Sequence, residues 1–292
     1  MITCHSEYAK LKAVLIKRSV DAFVDDGNLD RDWKRLNYLS RPDLSAAQGE
    51  YTAFETILGN SGAKIHQFPK DISVTIDSIY CRDASIATDK GMILCHMGKA
   101  ARITEPEAQR KAFAALGIPV LGMIHAPGTV EGGDVAWIDT QTLAVGHTYR
   151  TNASGIEQLA AILKPLGVRV ITVPLPHYRG PSDVFHLMSI LSPVDRNLAV
   201  VYSPLMPIPF RNGLLEMGYE LVEVPEPEFD SMGCNVLAVA PRQAVMVRGN
   251  PRTREGLERA GCKVTEFQGA EISVKGGGGP TCLTRPLERE IG

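Results

Sequence analysis

The chain has 292 residues, 44% hydrophobic and 22% charged, with a net charge of −2. That is the composition of a folded globular protein with room for a sizeable core, and it excludes the basic footprint of a nucleic-acid or anionic-membrane binder. No apolar run reaches the roughly 18 residues of a spanning helix, and the opening MITCHSEYAK has neither the basic nor the apolar stretch of a secretory leader. The six cysteines (Cys4, Cys81, Cys95, Cys234, Cys262 and Cys282) form no CxxC pair. They read as reduced thiols, which makes a cytoplasmic enzyme the expected class.

In chain order, the first departure from regular patterning is a charge-rich insertion over residues 19 to 43 containing Asp25-Asp26-Gly27. It reads as a mobile lid or as a plain surface loop. Ala47, Tyr51, Phe54 and Leu58 then mark one face of a helix that ends at Gly62, followed by the strand AKIHQFP. The same sequence of elements recurs. SIATDKGMILCH reads as two strands joined by a tight turn, and a strand follows Gly117; DVAWIDTQTLAVGH reads likewise, and a strand follows Gly167. The helix before Gly167 carries Ile156, Leu159, Leu163 and Leu166 on one face, with Ser154 as the expected cap. LMSILSPVDRNLAVVY precedes Gly218, and VLAVAPRQAVMVRG precedes Gly261, with Asn250-Pro251 as a cap and first residue of the intervening helix. Each glycine suits a helix C-terminus that needs positive φ.

The unit is therefore strand, strand, helix, strand, repeated about five times. One unit cannot bury its own apolar face, so the copies are expected to close around a common axis as one α/β domain, residues 1–292. A doubly wound sheet also alternates β and α, but it places one strand between helices and not a hairpin.

Aligning the first strand of each copy brings out the chemistry. At or just before it stand Asp83, Asp134 with Glu131 close by, His186, Asn235 and Cys282. In a closed ring these would converge, bringing two carboxylates, an imidazole and a thiol into one pocket. Taken singly, each has a structural reading too: His186 as a core histidine, Asp83 in a pair with Arg82, Glu131-Gly-Gly-Asp134 as a turn. Gly276 to Gly279 could be a linker, and no Gly-Lys-Ser/Thr follows to make it a phosphate loop.

These residues carry a resemblance. SEYAKLKAVLI, Tyr80-CRD, Pro127-GTVEGGDV, Tyr149-RTNASG, Phe185-HLM and Gly278-GPTCLT together resemble the guanidino-group-modifying enzymes: dimethylarginine dimethylaminohydrolases, arginine deiminases and amidinotransferases. The resemblance runs almost end to end and implies a five-bladed α/β-propeller with pseudo-five-fold symmetry. It implies Cys282 as covalent nucleophile, His186 as acid and base, and Asp83 and Glu131 as carboxylates holding the guanidinium. The dimethylarginine hydrolase pattern is the most similar in substrate binding; it implies Arg102 and Arg150 on the α-carboxylate and Asp77 on the α-amino group. Deiminases carry an aspartate two residues after the histidine, whereas this chain has Met188, which would tolerate an N-alkyl group; Cys81-Arg82-Asp83 looks more like the deiminase pattern.

The expected reaction is therefore attack of Cys282 on the guanidino carbon of an arginine, Nω-methylated by preference, to give citrulline and an amine through a thiouronium. A deiminase or dihydrolase, or an amidinotransferase, acting on arginine is the alternative. A more distant one is a non-catalytic ribosome-binding protein with the same repeat. No redox cofactor or metal is expected, since cysteines and histidines show no ligand spacing. The expected partner is a small guanidino substrate, with neither nucleic acid nor membrane; a homodimer is left open.

Overall fold

The computed structural model describes residues 1–292. The expected hairpins form, and each is followed by a helix and a third strand. Along the chain the strands are β1 (Ile2–Thr3), β2 (Lys10–Ile16), β3 (Lys64–Gln67), β4 (Ser85–Thr88), β5 (Gly91–Leu94), β6 (Val120–Met123), β7 (Val135–Asp139), β8 (Thr142–His147), β9 (Arg169–Pro174), β10 (Leu191–Asp195), β11 (Leu198–Val201), β12 (Glu220–Glu223), β13 (Leu237–Ala240), β14 (Gln243–Val247), β15 (Lys263–Phe267) and β16 (Thr284–Glu290). They make five separate sheets: β4-β5-β6, β7-β8-β9, β10-β11-β12, β13-β14-β15 and β1-β16-β2-β3. In the first four the hairpin pair is antiparallel and the third strand parallel to the second. The fifth repeats this pattern with the chain's ends combined: β16 is antiparallel to β2, and β3 is parallel to it.

A helix bridges the second and third strands of each sheet: Leu44–Asn60, Glu105–Ala115, Ala153–Leu163, Ile208–Glu216 and Pro251–Arg259. A parallel neighbour requires such a crossover, which a two-residue turn cannot supply. In the first, Ala47, Tyr51, Phe54 and Leu58 are the buried stripe. The five predicted glycines all sit at positive φ, from +70° to +83°.

Three local expectations change. The helix of residues 153–163 is capped by Asn152, whose side chain accepts from Gly155 N, and not by Ser154. Leu166 lies beyond that helix, in a 3₁₀ turn over Lys164–Leu166. Asn250 and Pro251 hold the N-cap and first helical positions as expected, but the Asn250 side chain makes no capping hydrogen bond; its Nδ2 donates to Ser231 O and Val247 O at 2.9 and 3.0 Å.

The insertion over 19 to 43 contains short helices at Ser19–Ala22 and Asp26–Asp32. Phe23, Leu29, Leu36 and Tyr38 anchor it in the core. Leu39 N donates to Lys275 O at 2.8 Å, tying the segment to the glycine run.

Candidate functional site

Short turns before the first strands deliver the side chains. Glu131 is the N-cap residue of the 3₁₀ turn Gly132–Asp134, which runs into β7. His186 holds the same place before the turn Leu187–Ser189; this turn sets His186 further ahead of β10 than Asp83, Asn235 and Cys282 stand ahead of their strands. Asp134 props up the His186 turn: its Oδ1 accepts from Leu187 N at 3.0 Å and its Oδ2 from Thr148 Oγ1 at 2.7 Å.

The glycines of the EGGD motif are required by close approach. A Cβ on Gly132 would overlap the carbonyl of Arg82, and one on Gly133 would overlap Nδ1 of His186 and lie 2.8 Å from Asp83 Oδ1. The run Gly276 to Gly279 is likewise no linker. Cβ atoms there would run into Tyr38, Tyr80 and Asn235, so a bare backbone is what allows this segment to pack beside Cys282.

These elements surround a cavity of about 480 Å³. Of the predicted residues, Cys282, His186, Asp83, Asp77, Arg102 and Arg150 line it, and Glu131 does not. Glu131 is fully buried behind His186, with Oε2 2.8 Å from His186 Nε2 and Oε1 accepting from Lys99 N at 2.8 Å. Arg150 Nη1 stands 3.6 Å from that same Oε1. Glu131 therefore meets the imidazole where a contact with the guanidinium was expected. Burial opposes its charge, but His186, Arg150 and Arg102 prevail and hold the carboxyl down at about 2. For His186 burial opposes the cation, yet Asp134, Glu131 and Asp83 raise it to about 9. At neutral pH the pair is a carboxylate and an imidazolium.

Cys282 is partly exposed and receives a hydrogen bond from Asn235 Nδ2 at 3.3 Å. The amide's other end is pinned, its Oδ1 accepting from Thr281 N at 3.0 Å and Thr281 Oγ1 at 2.8 Å. Burial, then the negative Asp83, push the thiol up; Asn235, Thr281 and Arg82 oppose this. No hydrogen bond joins Cys282 to His186, although both face the cavity.

Asp83 and Arg102 are paired at 2.5 Å, both buried. Arg102 also donates to Glu105 at 2.9 and 2.8 Å and to the carbonyls of Tyr80 and Asp77, so most of its donors are used. Asp83 Oδ1 and Arg150 Nη1 have no hydrogen-bond partner. Lys99, which nothing in the sequence singled out, binds Asp77 at 2.7 Å on the cavity wall. Arg82 turns away from the cavity to Glu7 at 2.8 Å, so of the Cys81-Arg82-Asp83 feature that looked deiminase-like only Asp83 is part of the lining. Apolar side chains from Tyr178, Phe185, Met188, Phe229 and Met232 complete the wall.

Asp83, Glu131 and His186 bring possible ligand atoms within 4.8 Å of one another. The proton on His186 already satisfies Glu131, and an imidazolium cannot ligate a metal. A thiol, an imidazolium, an unpaired carboxylate oxygen and an apolar wall in one cleft suit substitution at a cationic carbon.

Five repeated small sheets with Cys, His and Asp brought to one cavity define a guanidino-group-modifying enzyme. Residues 34–289 match the family described as "N,N dimethylarginine dimethylhydrolase, eukaryotic", and the chain belongs to the dimethylarginine dimethylaminohydrolase family. It is 28% identical over 249 residues to the N(G),N(G)-dimethylarginine dimethylaminohydrolase of Pseudomonas aeruginosa, covering 85% of this chain and 91% of that one. To the enzyme of the same name from Streptomyces coelicolor it is 30% identical over 220 residues, covering 74% and 76%. The structure of a dimethylarginine dimethylaminohydrolase adduct with S-methyl-L-thiocitrulline superposes with a TM-score of 0.77 at 25% identity, covering 95% of this chain and 99% of that one.

Proposed function

We propose that the chain hydrolyses the guanidino group of an Nω-methylated arginine, giving citrulline and a methylamine, as one catalytic domain. The single observation that carries the mechanism is that Cys282, His186 and the unpartnered Asp83 Oδ1 belong to the same cavity. Contacts of β10 with β13, of β13 with β2 and of β16 with β4 support closure of the five sheets into a five-bladed propeller around the site. The seating of β16 between β1 and β2 supports treating residues 1–292 as one unit.

The chemistry follows from charge. The resting thiol is neutral, because burial and Asp83 disfavour a thiolate. A guanidinium bound beside it reverses that balance, since a cation close by favours the charged sulfur. Asp83 holds the guanidinium through its free oxygen. The thiol proton passes to solvent, since the His186 imidazolium cannot take it; the thiolate then attacks the guanidino carbon, and a C–S bond forms. The C–N bond to the methylated nitrogen breaks as the His186 imidazolium gives that nitrogen its proton. Methylamine leaves, and a thiouronium remains on Cys282. Neutral His186 takes a proton from water, the hydroxide adds to the carbon, the C–S bond breaks, and citrulline departs. Glu131 acts through His186 by keeping it protonated between turnovers.

At the far end of the substrate, Arg150 has the unspent donor for an α-carboxylate, and Asp77 beside Lys99 takes the α-amino group. Arg102 lends less to the carboxylate, because it also holds Asp83. Met188 and its aromatic neighbours accept the N-methyl groups; no acceptor there rewards a bare guanidinium nitrogen. No helix is long and apolar enough to cross a membrane. The six free cysteines support a reducing, cytoplasmic setting.

The test is a panel of monomethylarginine, asymmetric dimethylarginine, arginine and agmatine, with released amine and ureido product both measured, for the parent and Cys282→Ser. Citrulline and methylamine or dimethylamine in equal amounts are expected, with no turnover by the serine variant. Ammonia and citrulline from arginine as the best reaction would mark a deiminase, and ornithine released only with an amine acceptor would mark a transferase. Full activity of Cys282→Ser would end the mechanism.

A further inference from the structure

Outside the cavity the core contains a second cluster of charge that the proposed reaction does not use. Arg82, Arg285 and Arg289 are all buried, and the only acidic side chain that binds any of them is Glu7. Arg82 Nη2 donates to Glu7 Oε1 at 2.8 Å and to Val135 O at 3.0 Å. Arg289 Nη1 donates to Ala238 O at 2.8 Å and to Ala9 O. These contacts draw on residues beside or within β2, β4, β7, β13 and β16, five strands from four of the sheets. The guanidiniums feel one another: burial and then Arg82 pull Arg285 down to about 10, and Arg289 falls to about 10 through burial, with Arg82 adding to the fall against Glu7.

The cluster has three positive side chains and one negative, and its neighbours do not close the difference. Cys81 is pushed up to about 12 by burial and Cys95 is pushed up too, so both are neutral thiols. Asp83 belongs to Arg102, and Glu131 to His186. Nε of Arg82, Arg285 and Arg289, and Nη2 of Arg289, are buried donors with no acceptor. Buried guanidinium charge without a counterion or hydrogen-bond acceptors is strongly disfavoured.

We propose that this cluster binds a small monovalent anion of the halide class, held by the spare N–H groups of Arg82, Arg285 and Arg289. The unpartnered donors belong to three separate side chains, and a spherical ion accepts from guanidinium edges at any angle. The ion would be structural, tying together sheets that share few backbone hydrogen bonds.

The test has two readouts on the full chain. Melting is followed at constant ionic strength while sodium gluconate is replaced by sodium chloride or bromide. A rise that is flat below the dissociation constant and logarithmic above it is expected, about 2 °C for each tenfold increase in halide, with a smaller rise in Arg285→Met. Crystals of the parent grown in low-millimolar bromide and measured at the bromine absorption edge should show an anomalous peak within hydrogen-bond distance of these guanidiniums, which decides the matter should Arg285→Met fail to fold. Identical melting curves in halide and gluconate, or density at the cluster without an anomalous signal, would overturn the proposal.

Discussion

Replacing Glu131 by Gln tests the pairing on which the acid step depends. The carboxylate is fully buried and lies 2.8 Å from His186 Nε2. Burial alone would favour a neutral imidazole, yet Asp134, Glu131 and Asp83 lift its pKa to about 9. A single opposite charge at such range shifts a pKa by about 1–3 units, so Glu131→Gln should leave His186 titrating between roughly 6 and 8. If it falls to about 7, the protonated fraction at pH 8 drops from about 90% to about 10%, a ninefold loss of the acid. Because the acid works when protonated, the alkaline limb of the kcat profile should move to lower pH. Stability should follow the same group. A histidine whose folded pKa is raised contributes stability that is complete below its unfolded value of about 6.5 and is lost as pH rises through about 9, on the order of 3 kcal/mol. Parent and variant should thus differ most in urea unfolding near pH 6 and converge near pH 10. Proton NMR of the imidazole gives the pKa directly. A folded Glu131→Gln protein with an unchanged imidazole titration and an unchanged alkaline limb would refute the reasoning.

Other outcomes follow from the same geometry. Asn235→Ala removes a hydrogen bond to sulfur and should raise the Cys282 pKa by about one unit; Asn235→Asp should raise it further by adding negative charge. Iodoacetamide labelling against pH reads both, and a fall in the aspartate variant would contradict the assignment. Gly133→Ala places a methyl on His186 and Asp83, and a displacement of about 1 Å should cost roughly 10²-fold in kcat/KM; parent-like turnover would show that the imidazole has room to move. A cationic haloacetamidine should alkylate Cys282 at least about tenfold faster at pH 7 than a neutral haloacetamide, because only the cation offsets burial and Asp83. Equal rates would mean that the thiolate forms without the substrate's charge.

The hairpins and crossover helices were legible because glycine, proline and short polar turns leave sharp marks between apolar runs. Aligning the repeats was enough to single out Cys282, His186 and Asp83, which line the cavity. The partner of Glu131 was not legible, since spacing along the chain places a carboxylate near the site without saying which atom it meets. Asn235 was visible as a repeat-start residue, but its role emerges only from the pinning of its amide by Thr281. Lys99 left no mark, because it reaches the cavity from the connection between β5 and the following helix, where no hydrophobic period marks a residue's direction. The insertion was hard to read for a different reason. Its helix Asp26–Asp32 is polar and seven residues long, and it buries only Leu29 and Asp32, the latter neutralised by Arg31 and Arg35. A helix that short depends on tertiary contacts and carries little periodic signal.

The strand that follows Cys282 is seated between two strands from the opposite end of the chain. Such a sheet cannot assemble locally; nearly the whole polypeptide must be looped out before its middle strand finds its neighbours, and contacts of that separation form slowly. The place of the sulfur beside Asn235 therefore depends on contacts between the two ends of the fold. Partly built molecules would have an ordinary cysteine, and the reactive one would belong to the finished architecture alone.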